Sequence, residues 1–120
     1  MAYKIKRIES ERFTKYNING DILSTGQDAG HAYVICLETT LDNDVLLSIV
    51  SDDRFLNVIN GKDEYPDWTF TVYLFGIGAP DAATQFATQQ EAQKAIDYIK
   101  ANPNRFIRKE DSLWKYVKLN

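Results

Sequence analysis

Thr88-Gln89-Gln90-Glu91-Ala92-Gln93-Lys94-Ala95-Ile96-Asp97-Tyr98-Ile99-Lys100-Ala101 places Ala92, Ala95, Ile96 and Ile99 at i, i+3, i+4 and i+7, the spacing that lines one face of an α-helix. Thr88 and Glu91 have the Thr-x-x-Glu spacing of a capping box, in which each side chain accepts a backbone N–H that the first turn cannot use. Asn102-Pro103 supplies the stop, because Asn tolerates a left-handed turn and Pro103 has no N–H to extend the ladder. The pattern predicts a helix over 88–101.

Upstream, the period changes from 3.6 to 2. Thr69-Phe70-Thr71-Val72-Tyr73-Leu74-Phe75 is β-branched and aromatic, with Phe70, Val72 and Leu74 on one side and Thr69, Thr71, Tyr73 and Phe75 on the other. Residues 32–40 alternate in the same way, with Tyr33, Ile35 and Leu37 on one face and Ala32, Val34, Cys36 and Glu38 on the opposite one. Asn19-Gly20, between 13–18 and 21–24, is the dipeptide of a type I′ hairpin turn. In 44–60, Ser51-Asp52-Asp53 reads as a turn between β-branched runs; two strands are expected there, with a helical stripe as the alternative. Leu113 to Leu119 reads as a last strand with Trp114 and Tyr116 on one face. The expected fold class is therefore α+β: a mainly antiparallel sheet of about five to seven strands, with one helix in the C-terminal half packed on one face.

The 120 residues fit one domain, 1–120, and 44% apolar content supports a core without staples. Cys36 is the only cysteine, which excludes an intramolecular disulfide and points to a reducing compartment, the cytoplasm. The first residues lack the apolar segment of a secretion signal, and no run approaches the roughly 20 residues that cross a bilayer, so no membrane role is expected.

Charge is uneven along the chain. Residues 1–20 carry five bases against two acids, 21–81 two bases against eleven acids, and 82–120 seven bases against four acids. If the fold gathers the central acids, their field attracts a basic partner and repels a polyanion. Arg105, Phe106, Arg108 and Lys109 form a small basic-aromatic cluster, but Glu110 and Asp111 follow at once and the net charge is −3, which disfavours nucleic acid.

Catalytic patterns are sparse. His31 is the one side chain that titrates near neutrality, and it is expected in a loop. Cys36 lies five positions away, an odd number that sends the two side chains to opposite faces of a continuous strand, and its apolar neighbours suggest a small buried hydrophobe. Zinc lacks ligands, and Asp42-Asn43-Asp44 departs from a calcium loop at its sixth and twelfth positions, Leu47 and Asp53. Gly76-Ile77-Gly78-Ala79-Pro80 follows a strand, but Asp81 and Pro80 spoil a phosphate cradle. No cofactor or metal is expected.

Asp63-Glu64-Tyr65-Pro66-Asp67-Trp68 sets two large amphipathic rings among acids in a proline-stiffened loop. Tyr and Trp supply large rigid contact areas at interfaces, although Trp68 could equally turn inward to close the core. The expected function is binding of a protein with a basic surface, as an inhibitor, adaptor or regulator, through Asp63, Glu64, Tyr65, Asp67 and Trp68 with Asp52 and Asp53. Small phage anti-defence inhibitors share this size and charge, an analogy that extends no further. The alternatives are a small-molecule or nucleotide pocket between sheet and helix, with Tyr73, Phe75 and Arg105 as lining, and a small enzyme using His31. An open sheet edge also leaves self-assembly available.

Overall fold

A computed structural model describes residues 2–10, 30–61, 67–75 and 82–118. The order of elements is β1 (Tyr3–Glu9), β2 (His31–Leu37), β3 (Val45–Ile49), α1 (Asp52–Ile59), β4 (Trp68–Leu74), α2 (Gln89–Ala101) and β5 (Phe106–Arg108). Two 3-10 turns, Pro103–Arg105 and Ser112–Tyr116, flank β5. The strands form one sheet in chain order.

The architecture is α+β, with a five-stranded mixed sheet and two helices. Strands β1 to β4 pair antiparallel, whereas β5 pairs parallel to β4, with Thr69 opposite Ile107. The expected antiparallel arrangement is corrected at this edge for a connectivity reason. The link from β4 contains a full helix that carries the chain back to the end where β4 started, so β5 runs in the same direction.

Helix α2 buries the four side chains its spacing selects: Ala92, Ala95, Ile96 and Ile99. Thr88 accepts the Glu91 N–H at 3.1 Å, while the Glu91 carboxylate reaches the Ala87 N–H at 3.4 Å, one residue earlier than the standard box. At the other end Asn102 does not turn left-handed; its φ is −132°. Its side-chain amide and backbone N–H both donate to the Tyr98 carbonyl at 3.0 Å, which ends the helix by competition for the last acceptors.

The 44–60 segment combines both readings. Val45–Ile49 is a strand, but the second expected strand is helix α1. Ser51 adopts φ 65° and turns the chain from strand into helix with no intervening loop. Helical spacing then buries Phe55, whose ring meets Trp68, Tyr98 and Phe106 edge-on at centroid distances of 5.3, 5.7 and 6.1 Å. Edge-to-face ring contacts add to the area each ring buries, and here they outweigh the β preference of Val58 and Ile59.

The expected last strand is also replaced. Ser112–Tyr116 is a 3-10 turn capped by Asp111, whose carboxylate accepts the Leu113 N–H at 2.8 Å, and Trp114 Nε1 donates to the Lys109 carbonyl at 2.8 Å. Among the described residues of that expected strand only Val117 keeps strand geometry, in a bridge to Thr39. Conversely β1 forms from a stretch that the sequence reading treats only as a charged start. The hairpin expected around Asn19-Gly20 and the glycines at 76 and 78 lie outside the described residues.

The main core lies between the sheet and the helices, with Ile35, Leu37, Leu47, Phe70 and Val72 against Phe55, Ile96 and Ile99. Strand β2 sends Ala32, Val34 and Cys36 to a second cluster with Ile8, Leu46 and Ala83, as its alternation predicts. Between the two halves the sheet splays. Strands β2 and β3 share only the pairs Cys36 with Leu46 and Leu37 with Val45. Beyond them residues 82–87 enter the gap, where Thr84 Oγ1 accepts the buried Ile49 N–H at 2.8 Å.

Candidate functional site

Strand alternation builds two unlike faces on β3, β4 and β5. Trp68, Phe70 and Val72 point to the helices, so Thr69, Thr71 and Tyr73 point away from them. Register extends that outer face sideways: Ser48 stands opposite Thr71, Leu46 opposite Tyr73, and Ile107 beside Thr69. Val50 continues the alternation of β3 and donates its N–H to the Thr69 carbonyl at 2.9 Å. Among the described residues the large exposed apolar side chains are Val50, Tyr73 and Ile107, at 49%, 38% and 58% exposure. All three belong to this face. Four residues separate Thr69 from Tyr73, so the apolar ends stand roughly 13 Å apart with threonines between them. A shallow depression of about 170 Å³ adjoins Tyr73, lined by Thr71, Lys109, Glu110 and Asp111 among others.

Three carboxylates stand at one end of the sheet. Asp52 and Asp53 open α1 directly after β3, and Asp67 directly precedes the antiparallel β4, so all three stand at the same end of the sheet. Asp42 and Asp44 stand at the other end of β3. Asp44 is bound by Lys4 at 3.0 Å and Lys6 at 3.1 Å, and these hydrogen-bonded ammonium groups hold its carboxyl below the ordinary value. Among the described acids of 21–81, Asp44 is therefore paired with β1, while Asp52, Asp53 and Asp67 stand at the opposite end of β3.

Of the residues expected to bind a partner, Asp52, Asp53 and Asp67 stand at the same end of the sheet. Trp68 is 2% exposed and lies under β4 with its ring against Phe55, so its contribution is to the core. Asp63, Glu64 and Tyr65 lie outside the described residues. Val50 and Ile107 escaped the sequence reading because each depends on a feature without local signal, the turn at Ser51 and the parallel strand β5. Alternation separates Tyr73 from Phe70 and Val72 without saying which face is the outer one, and the expected pocket places Tyr73 on the helix side. Its outward position removes it from the expected pocket between sheet and helix.

The remaining candidates sort as follows. His31 is the first residue of β2, opposite Glu9, and does not stand in a loop. Cys36 lies on the same strand five residues on, hence on the opposite face, and is fully buried. Burial, reinforced by Asp44, pushes its thiol up to about 11, the reverse of what a nucleophile needs. No group of three His, Cys, Asp or Glu converges as a metal site among the described residues. In the basic-aromatic cluster the Phe106 ring stacks on Phe70 at 4.5 Å and packs against the core. No described helix is long and apolar enough to cross a membrane. Comparison with protein-family models, curated proteins and solved structures finds no match to the chain.

Proposed function

We propose that this chain acts by binding another protein, as an inhibitor, adaptor or regulator, through the outer face of β3, β4 and β5. The observation that supports this reading is the coincidence of Val50, Tyr73 and Ile107 on one sheet face, with Asp52, Asp53 and Asp67 at the end of the sheet where Val50 lies. Scattered surface hydrophobics need no explanation; three on one sheet face, spaced by threonines, offer separate apolar anchors to a partner. The carboxylates at that end of the sheet select a partner with a basic rim and speed encounter, so association weakens as salt rises.

The test compares wild-type protein with Tyr73→Asp plus Ile107→Asp, and with Asp52→Asn plus Asp53→Asn plus Asp67→Asn. Each is used as bait in extract from the producing cell, and captured proteins are quantified by mass spectrometry. A partner retained by wild type should be lost with the first variant and become less salt-sensitive with the second. Sedimentation velocity of the same proteins reads self-association; a dimer abolished by the first variant makes the partner a second copy. Retention of every partner by the first variant, with its thermal unfolding unchanged, removes the proposal.

A further inference from the structure

On the helix side of the sheet, remote from the outer face, a cleft of about 260 Å³ opens between β1, β5 and the C-terminal end of α2. Its lining is Tyr3, Phe70, Ile99, Lys100, Pro103, Phe106 and Arg108. Tyr3 and Arg108 come from the two outermost strands of the sheet. They line one cleft with the C-terminal end of α2 between them.

The chemistry of the lining is one-sided. Lys100 and Arg108 are cationic, the Tyr3 hydroxyl is a donor, and among the described residues no carboxylate contributes. Neither cation forms an ion pair among the described residues. The Arg108 guanidinium is held over the Trp114 ring at 5.1 Å, which orders the group before any ligand arrives. Burial raises the Tyr3 hydroxyl above its ordinary value of 10.0, so it keeps its proton and can donate. The negative end of α2 is muted here, since Asn102 already occupies the Tyr98 and Ile99 carbonyls at 3.0 and 3.3 Å. The floor is apolar: Phe70 and Phe106 stack at 4.5 Å and 28°, with Ile99 and Pro103 beside them.

We propose that this cleft binds a small phosphomonoester carried on a flat apolar ring, with the phosphate between Lys100 and Arg108 and the ring on Phe106 and Pro103. Two cations and a neutral donor match a dianion better than a carboxylate, and Arg can meet phosphate oxygens through two parallel N–H bonds. The volume suits a single ring and its phosphate.

Phenyl phosphate is the probe, titrated into the full chain by calorimetry, with inorganic phosphate, benzoate and benzyl alcohol as comparisons. Phenyl phosphate should saturate one site and bind about tenfold or more tighter than each comparison. Arg108→Gln and Lys100→Gln should each weaken it by about tenfold, whereas Lys94→Gln, on an exposed turn of the same helix, should not. If Arg108→Gln unfolds through loss of its contact with Trp114, the Lys100→Gln result decides alone. Equal affinity for phenyl and inorganic phosphate, indifference to Lys100→Gln, or absence of saturable binding overturns the proposal.

Discussion

Tyr33 of β2 and Phe86, in the segment before α2, exchange both backbone hydrogen bonds, at 2.9 and 2.8 Å. That pair stands where β3 would continue to run beside β2 if the sheet were regular. By satisfying the freed backbone groups of β2, residues 82–87 let the two halves of the sheet diverge without orphaned donors.

Thr84 closes the other half of the gap. Its hydroxyl accepts the Ile49 N–H at 2.8 Å, and Thr84 itself is 2% exposed. Thr84→Val keeps the shape and removes the acceptor, leaving a buried amide unpaired at a cost of about 1–3 kcal/mol. Urea unfolding should show that loss, while Thr84→Ser, which keeps the oxygen, should lose markedly less. Equal stability of the valine and serine variants contradicts this role.

Cys36 is predicted to be inert in the folded chain. With its thiol pushed up to about 11 by burial, iodoacetamide at about pH 8 should alkylate it only as fast as the fold opens, and at once in concentrated urea. Between the ordinary value of 9.0 and about 11 the unfolded chain loses the proton that the folded chain keeps, so stability falls as pH rises. Cys36→Ala should flatten that alkaline decline. Fast labelling of native protein disproves the burial argument.

Asp44 gives the opposite limb. Its folded carboxyl is held low by hydrogen bonds from Lys4 and Lys6. The stability it contributes is complete above the ordinary value of 3.8 and disappears as pH falls through the lower folded value. The pair is partly solvated, so the contribution is about 1 kcal/mol or less and shrinks with salt. Asp44→Asn should be less stable than wild type at neutral pH and equal to it in strong acid, read from urea midpoints. A difference that persists unchanged in strong acid assigns the effect to packing.

Legibility in the sequence follows the range of the interactions that fix each element. Helix α2 was readable because Thr88, Glu91 and the stripe from Ala92 to Ile99 act within a few residues of one another. The faces of β2 and β4 were readable from alternation alone. Strand β5 was not, because Phe106–Arg108 is three residues long and exists only by pairing with Trp68–Phe70. The same holds for the site. Alternation put Tyr73 opposite Phe70 and Val72, but choosing its face needs the helices in place, and grouping it with Val50 and Ile107 needs the register across three strands. Trp68 failed as a surface residue because a ring that size preceding a buried strand finds Phe55, which lies thirteen positions earlier on a helix the sequence reading disfavoured.

Ser51 is the residue on which that misreading turned, and it supplies the last prediction. It is the one non-glycine with positive φ among the described residues, at 65°, and its side chain makes no cap hydrogen bond to α1. A left-handed conformation costs an L-residue roughly 1–2 kcal/mol, and glycine escapes that while losing about 0.5–1 kcal/mol more backbone entropy on folding. Ser51→Gly should therefore leave stability unchanged or raise it by a few tenths of a kcal/mol. Ser51→Val, which crowds the same turn with a branched Cβ, should lower it by about 1 kcal/mol or more. Thermal unfolding of the two variants checks both signs at once. If valine is tolerated as well as glycine, the passage from β3 to α1 does not depend on a left-handed residue, and the helix must be held by Phe55 packing alone.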